Sequence, residues 1–173
     1  MTKPNGVLLL LFSNYPKLIA LSFIVCFISS CNSPLENVIE RNKKLEGTLL
    51  DDVTRFDSVH IDSDKSLFTY HYTILQSSLD TSSEGYLFTC RLFQKQMEER
   101  LKGQVNLTNE EFRVLHESGF GIKFGYQDLQ TNQPIGQVVF SNSMNGYNLM
   151  REEDEWTDVV DMAYDKLINP DSQ

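Results

Sequence analysis

A β-strand is predicted by the stretch Phe68-Thr69-Tyr70-His71-Tyr72-Thr73-Ile74, and the rest of the fold can be worked out from it. Apolar or aromatic residues alternate in it with threonine and histidine, which is the period of a β-strand with one buried face and one polar face. The cluster Asp62-Ser63-Asp64-Lys65 just before it predicts a turn, so the segment from Val53 to Gln76 is predicted to form a β-hairpin. A sheet with one polar face needs cover on its other face only, and helices are expected there.

A second hairpin is predicted further along the chain. The alternation returns between Phe120 and Asp128, and a partner strand is predicted from Ile135 to about Ser141. Three glycines in this region, Gly119, Gly121 and Gly125, follow a helix and are spaced G-x-G-x-x-x-G, which is not the dinucleotide fingerprint. We expect them to end that helix and to allow close backbone approach in a strand.

Helices are predicted at four places. Three capping boxes, Ser33–Glu36, Thr81–Glu84 and Thr108–Glu111, each precede apolar residues at helical spacing. The fourth helix is C-terminal and has the widest apolar stripe, which we expect to belong to the core: Trp156, Val159, Val160, Ala163, Tyr164 and Leu167. The predicted fold is therefore α+β, with two β-hairpins forming an antiparallel sheet packed against three to four helices.

The N-terminal segment has the pattern of an export signal. An apolar run from Leu18 to Ile28 follows Lys17 and ends in Ile28-Ser29-Ser30-Cys31. It is shorter than the roughly 20 residues of a membrane span but matches a signal-peptide core of about 7 to 15 residues. The arrangement resembles the lipobox-type signal of bacterial lipoproteins, here I-S-S-C. An uncleaved anchor and an ordinary cleaved signal peptide are the alternatives.

The resemblance implies a lipidation site at Cys31. Its thiolate would take a diacylglyceryl group, and an acyl chain such as palmitate on the new N-terminus would complete a stable membrane anchor. Residues 1–30 are then a lipoprotein signal peptide, and residues 31–173 are a single α+β envelope domain. In the families that this signal resembles, a residue other than Asp after the cysteine, here Asn32, favours the outer membrane, facing the periplasm.

The charge of the chain excludes some classes of partner. It carries 24 acidic and 15 basic residues, for a formal charge of −9, and loss of Lys3 and Lys17 with the signal makes this −11. Such a protein is a poor candidate for nucleic acid or for electrostatic binding to anionic lipids. Its predicted partners are the membrane, through the lipid anchor, and an envelope protein.

Beyond Cys31, the sequence predicts no catalytic, cofactor-binding or metal-binding residue. Cys90 has no local nucleophile signature and is predicted to be a small buried residue. Asp62, Asp64 and Ser66 begin like a calcium loop, but the glycine and glutamate that complete such a loop are missing. A hairpin turn at Ser63-Asp64 would place His60 and His71 far apart, which also argues against a metal site.

These observations favour a non-catalytic function. Phe68–Tyr72 and Gly119–Asp128 resemble segments of small uncharacterised exported lipoproteins of bacteria, a resemblance that implies no activity. The leading hypothesis is a membrane-anchored envelope lipoprotein with a binding or accessory role. The alternatives are an inhibitor or immunity protein that neutralises a basic envelope toxin or hydrolase, and an enzyme with an unrecognised site.

Overall fold

The computed structural model of the chain describes residues 32–75, 83–151 and 157–169. Within these ranges there are four helices and five strands, which confirms the predicted α+β class. In chain order they are α1 (Pro34–Lys43), β1 (Thr54–Asp62), β2 (Leu67–Ile74), α2 (Ser83–Lys102), α3 (Glu110–Glu117), β3 (Gly121–Asp128), β4 (Pro134–Ser143), β5 (Gly146–Met150) and α4 (Thr157–Ile168). The predicted signal peptide, Cys31 and Trp156 lie outside the described residues. The described residues from Val38 onward group into one compact unit, and Asn32–Asn37 belong to a second unit.

The five strands form one open, mixed sheet in the order β1-β2-β3-β4-β5. Both predicted hairpins are present, as β1-β2 and β3-β4, but β2 and β3 pair in parallel, with Leu67 opposite Gly121 and Ile74 opposite Asp128. The prediction of a purely antiparallel sheet is therefore wrong. Between β2 and β3 the chain passes through α2 and α3, so it returns to the end of the sheet where β2 began before β3 starts.

The core lies on the aromatic face of the sheet. The parallel register brings Tyr70 onto Phe124 and Tyr72 onto Tyr126, with ring centroids 5.2 and 5.3 Å apart. From α3, Phe112 meets the Tyr70 and Phe124 rings edge-on. The side chains that are completely buried among the described residues include Phe68, Leu115 and Ile122. The face that the alternating pattern predicted to be buried is thus the packed one.

Glu111 joins three elements. It was predicted to close the capping box of α3, but Asn109 is the N-cap, and its side chain accepts the backbone N–H of Glu111. The Glu111 carboxylate instead accepts hydrogen bonds from the Tyr70 hydroxyl at 2.5 Å and the Asn42 amide at 2.7 Å, and it pairs with Arg41 at 2.9 Å. α3 is thereby tied to β2 and to the C-terminal half of α1.

The capping box of α1 forms as predicted. The Glu36 backbone N–H donates to Ser33 Oγ at 3.1 Å, and the Ser33 backbone N–H donates to Glu36 Oε2 at 2.7 Å. These reciprocal bonds satisfy two donors that the helix itself leaves open.

α4 packs against α2 and is joined to it by an ion pair, and a second ion pair joins α4 to the residue that follows β5. Asp161 lies 3.1 Å from Lys95 and 2.5 Å from Arg151. Within the predicted apolar stripe Val160 is buried, but Val159 is 44% and Leu167 63% exposed. The expectation that this stripe belongs to the core therefore holds for only part of it.

α2 packs closely against the first half of β4. β5 pairs with the second half of β4, Val139–Ser143. α2 contacts β4, and the contact includes Gly136 in the first half, beside which no strand of the described residues lies on that edge. A Cβ added at Gly136 would lie 3.4 Å from Phe93 Cδ1 and from Gln94 Cβ, which is tighter than most such contacts. Glycine at this position allows the close approach of helix and strand.

Candidate ligand-binding cleft

A cavity of about 680 Å³ lies between α2 and the aromatic face of the sheet. Small-molecule sites usually occupy about 300 to 1,000 Å³, so this cavity, the α2–sheet cleft, is of ligand size. Its described lining residues are Leu50, Asp51, Val53, Thr54, Tyr72, Ile74, Thr89, Leu92, Phe93, Gln96, Met97, Arg100, Leu101, Gln104, Phe112, Phe124, Tyr126 and Ile135.

The apolar walls of the cleft follow from the spacing of residues in α2. Its lining positions recur every three or four residues from Thr89 to Leu101, so they share one side of the helix. Opposite them, the sheet contributes Tyr72 and Tyr126, and the Phe93 ring meets the Tyr126 ring edge-on at 5.3 Å. Such a surface favours an apolar molecule, because contact removes hydrocarbon from water on both sides.

Two hydroxyl groups stand on this aromatic surface. Neither Tyr72 nor Tyr126 donates a hydrogen bond to another residue in the part of the chain that the structure describes. Burial raises the pKa of Tyr126 to about 12 and that of Tyr72 further, so both hydroxyls are neutral donors near pH 7.

One basic and one acidic residue line the cleft. Asp51 Oδ1 accepts the backbone N–H groups of Val53 at 2.9 Å and Thr54 at 2.6 Å. The Val53 hydrogen bond is the largest cause that lowers the pKa of Asp51, so this carboxylate is charged near neutral pH. Arg100 is exposed, and no carboxylate of the described residues lies within salt-bridge distance of it.

The rim of the cleft is apolar. In the segment before β1, Leu50 is 55% and Val53 37% exposed, and both line the cleft. Exposed leucines beside a cavity with apolar walls extend the surface that an apolar ligand can contact. The cleft thus offers hydrocarbon contact along its length, with polar groups at a few positions.

Cys90 occupies a half-buried position on α2. Burial is the largest cause that raises the pKa of its thiol, and the Tyr86 hydroxyl acts in the opposite direction. The thiol is therefore protonated near neutral pH, and the side chain is half-buried where the sequence predicted a buried one.

The two strand histidines lie closer together than predicted. The β1-β2 turn spans four residues between Asp62 and Leu67, so His60 lies opposite Thr69 and His71 opposite Ser58; a β-bulge at Asp57 shifts the register only beyond these pairs. This register makes the histidines diagonal neighbours on the polar face of the sheet. Burial lowers the pKa of His71, with the neighbouring His60 as the next cause.

The turn and glycine predictions agree with the structure. Asp62 accepts the backbone N–H of Lys65 at 3.1 Å, as a solvated turn requires. Gly119 follows α3 with φ +84°, and a Cβ on Gly121 would lie 2.8 Å from the Phe140 carbonyl oxygen. Both are positions that only glycine occupies without strain.

The described ranges contain neither a candidate metal centre nor a candidate membrane span. No group of three or more His, Cys, Asp or Glu side chains in these ranges could hold a metal ion. No helix among the same residues is long and apolar enough to cross a membrane.

The sequence analysis did not predict the cleft. Phe93, Met97 and Leu101 were recognised as one apolar stripe of α2, but a stripe does not show whether the facing surface closes on it. The available signal was tyrosine, in place of phenylalanine, at positions 72 and 126, but tyrosine also stands on the same face at position 70, where its hydroxyl donates to Glu111.

Comparison with known proteins assigns no family. No protein-family model and no curated protein matches the chain. A crystal structure from Pseudomonas aeruginosa, described as "a putative secreted protein", is 15% identical and covers 62% of this chain and 85% of that one, with a TM-score of 0.48. A similarity of that size supports no conclusion about function.

Proposed function

We propose that this chain is an exported lipoprotein of the bacterial cell envelope, anchored through Cys31, whose folded domain binds an apolar ligand in the α2–sheet cleft without transforming it. The observation that carries the binding role is the cleft itself, which is of ligand size and walled by aromatic and aliphatic side chains. Export and anchoring are supported by the I-S-S-C site at the end of a short apolar run.

A binding role agrees with the chemistry of the lining. The tyrosine hydroxyls are neutral, and the Asp51 carboxylate is engaged by backbone N–H groups. These groups can orient a ligand, whereas the affinity would come from burial of hydrocarbon at about 25 cal/mol per Å².

The proposed location is the periplasmic face of the outer membrane. It is supported by Asn32, the residue that follows the proposed lipidation site Cys31. In the families that this signal resembles, Asp at this position favours retention at the inner membrane. Fractionation of membranes on a sucrose gradient tests it, with Asn32→Asp as the matched variant. We expect the natural chain in outer-membrane fractions and the variant in inner-membrane fractions, and recovery of both at the inner membrane would contradict this location.

The binding role can be tested with the neutral fluorescent probe N-phenyl-1-naphthylamine. The full lipidated chain is held in lipid nanodiscs, and the signal of empty nanodiscs is subtracted. Gln96 is exposed at the cleft, so Gln96→Trp should obstruct it while leaving the core intact. Leu87→Trp is the matched control, because Leu87 is 57% exposed on the same helix and does not line the cleft.

We expect saturable probe binding by the natural chain and by Leu87→Trp, with an apparent Kd at least about tenfold weaker for Gln96→Trp, a loss of about 1.4 kcal/mol. Circular dichroism confirms that both variants are folded. Equal binding by all three chains would contradict a ligand site in the cleft.

A further inference from the structure

We propose that the α2–sheet cleft holds a single hydrocarbon chain that ends in an anionic head group, with the chain along the aromatic surface and the head group at Arg100. This inference rests on the proposed function, because it names the ligand class of the same cleft. The source of the chain is a free fatty acid or a phospholipid, which share this chemistry.

The length of the cleft favours a chain over a compact molecule. Its lining positions on α2 run from Thr89 to Leu101, which corresponds to about 18 Å at 1.5 Å per residue. The acyl chains of one membrane leaflet occupy about 15 Å, half the hydrocarbon thickness of a bilayer. A cleft of this length with apolar walls therefore accommodates one such chain lengthwise.

The charge at one end of the cleft favours an anionic head group. Arg100 is the basic residue among the described lining residues, and it lies in the last turn of α2. Asp51 attracts it electrostatically, but no carboxylate of the described residues lies within salt-bridge distance of the Arg100 guanidinium. The guanidinium fork therefore retains donors that can bind a carboxylate or a phosphate.

Two tyrosine hydroxyls add hydrogen-bonding capacity to the cleft that Arg100 lines. The positive charge of Arg100 lowers the pKa of the Tyr126 hydroxyl, against the larger effect of burial. Tyr72 stacks directly on Tyr126. The hydroxyls could donate to the head group or to an ester oxygen, and an entirely apolar ligand would leave them without a partner.

Photo-crosslinking tests both the location and the head-group chemistry. Palmitic acid that carries a diazirine in its hydrocarbon tail is added to the full lipidated protein in nanodiscs. The sample is irradiated, and the labelled peptides are mapped by mass spectrometry. The methyl ester of the same probe removes the charge, and a diazirine-bearing lysophosphatidylglycerol represents the phospholipid source. The protein variants are Arg100→Gln, Arg100→Lys and, as a control of equal charge change, Arg113→Gln, which is exposed on α3 outside the cleft.

We expect the acid probe to label peptides that contain cleft residues. Its apparent Kd should be about tenfold weaker for Arg100→Gln than for the natural chain, which corresponds to about 1.4 kcal/mol. Arg100→Lys should recover part of this loss, Arg113→Gln should bind normally, and labelling by the ester should not depend on Arg100. Stronger labelling by the acid identifies a fatty acid as the ligand, and stronger labelling by the lysophospholipid identifies a phospholipid.

Two results would overturn the proposal, and they differ in what else they affect. If acid and ester label the cleft equally and Arg100→Gln has no effect, the anionic head group is wrong while the apolar binding role stands. If no probe labels any cleft peptide, both this inference and the proposed function fail.

Discussion

Replacing Glu111 with alanine tests how α3 is held against the sheet. Its carboxylate accepts hydrogen bonds from the buried Tyr70 hydroxyl and the Asn42 amide, and it pairs with Arg41, whose side chain is 51% exposed. Glu111→Ala leaves the Tyr70 hydroxyl without an acceptor, and it orphans one N–H of the Asn42 amide, whose nitrogen still donates to the Val38 carbonyl. Each orphaned donor costs about 1 to 3 kcal/mol. The exposed ion pair adds at most about 1 kcal/mol. We therefore expect the free energy of unfolding to fall by about 3 kcal/mol.

Urea unfolding of the soluble chain that begins at Asn32 measures this loss, and the m-value should not change. Glu110→Ala is the matched control, because Glu110 is an exposed acid in the same turn of α3, and it should cost less than about 0.5 kcal/mol. Adding Tyr70→Phe to Glu111→Ala removes one of the orphaned donors, so a coupling energy of about 1 to 2 kcal/mol is expected. If Glu111→Ala cost no more than Glu110→Ala, the proposed role of this carboxylate would be refuted.

Three further predictions concern other parts of the chain. Cys31→Ser should abolish lipidation, because no other exported residue at the site offers a thiolate; cells fed radioactive palmitate would show this as an unlabelled precursor, and undiminished label would exclude the anchor. Asp161 has its pKa lowered to about 2 from 3.8 by hydrogen bonding to Arg151, so its contribution to stability is present above pH 4 and is lost as the pH falls towards 2. Asp161 is about a third exposed, so this contribution should be about 1 kcal/mol, and urea unfolding of Asp161→Asn at pH 7 should show that loss, whereas the difference between the variant and the natural chain should be much smaller at pH 2 and vanish below it. Cys90→Ala should cost about 1 kcal/mol in thermal melts and leave probe binding unchanged, because Cys90 is a half-buried residue of α2 that does not line the cleft, and loss of binding by the folded variant would contradict this.

Local patterns predicted most of the secondary structure because the period of a strand or a helix is recorded in adjacent residues. The alternation from Phe68 to Ile74 identified β2 and its buried face, and the capping box at Ser33 marked the start of α1. How the two hairpins join is not local information. Their parallel contact depends on where the chain returns after α2 and α3, which no pattern within either hairpin specifies.

Some signals were present but not recognised. Asn145-Gly146 is a common hairpin dipeptide, and it stands where the chain turns from β4 into the unpredicted β5, whose first residue is Gly146 at φ +125°. The bulge at Asp57 had no such marker; the extra residue is held there because Asp57 accepts a hydrogen bond from Thr73 on β2 at 2.5 Å. The longer turn alone was enough to change the predicted separation of the histidines.

The cleft could not be predicted from the sequence because a cavity is a property of two facing surfaces. The apolar residues of α2 were identified, yet the same stripe would serve a helix in full contact with the sheet. Close packing of α2 against β4 at Gly136, together with the large rings of Tyr72 and Tyr126, determines where space remains.

The most direct test of a ligand site in the α2–sheet cleft is the response of an environment-sensitive dye placed at Gln96. In the Cys90→Ala background, Gln96→Cys is labelled with acrylodan, and palmitate is titrated into the full chain in nanodiscs; the same label on Leu87→Cys reports any general change in the bilayer. If palmitate binds in the α2–sheet cleft, the emission of the dye at Gln96 should shift saturably, and the emission of the dye at Leu87 should not change. Identical responses from the two positions, or no response from either, would contradict a ligand site in the cleft.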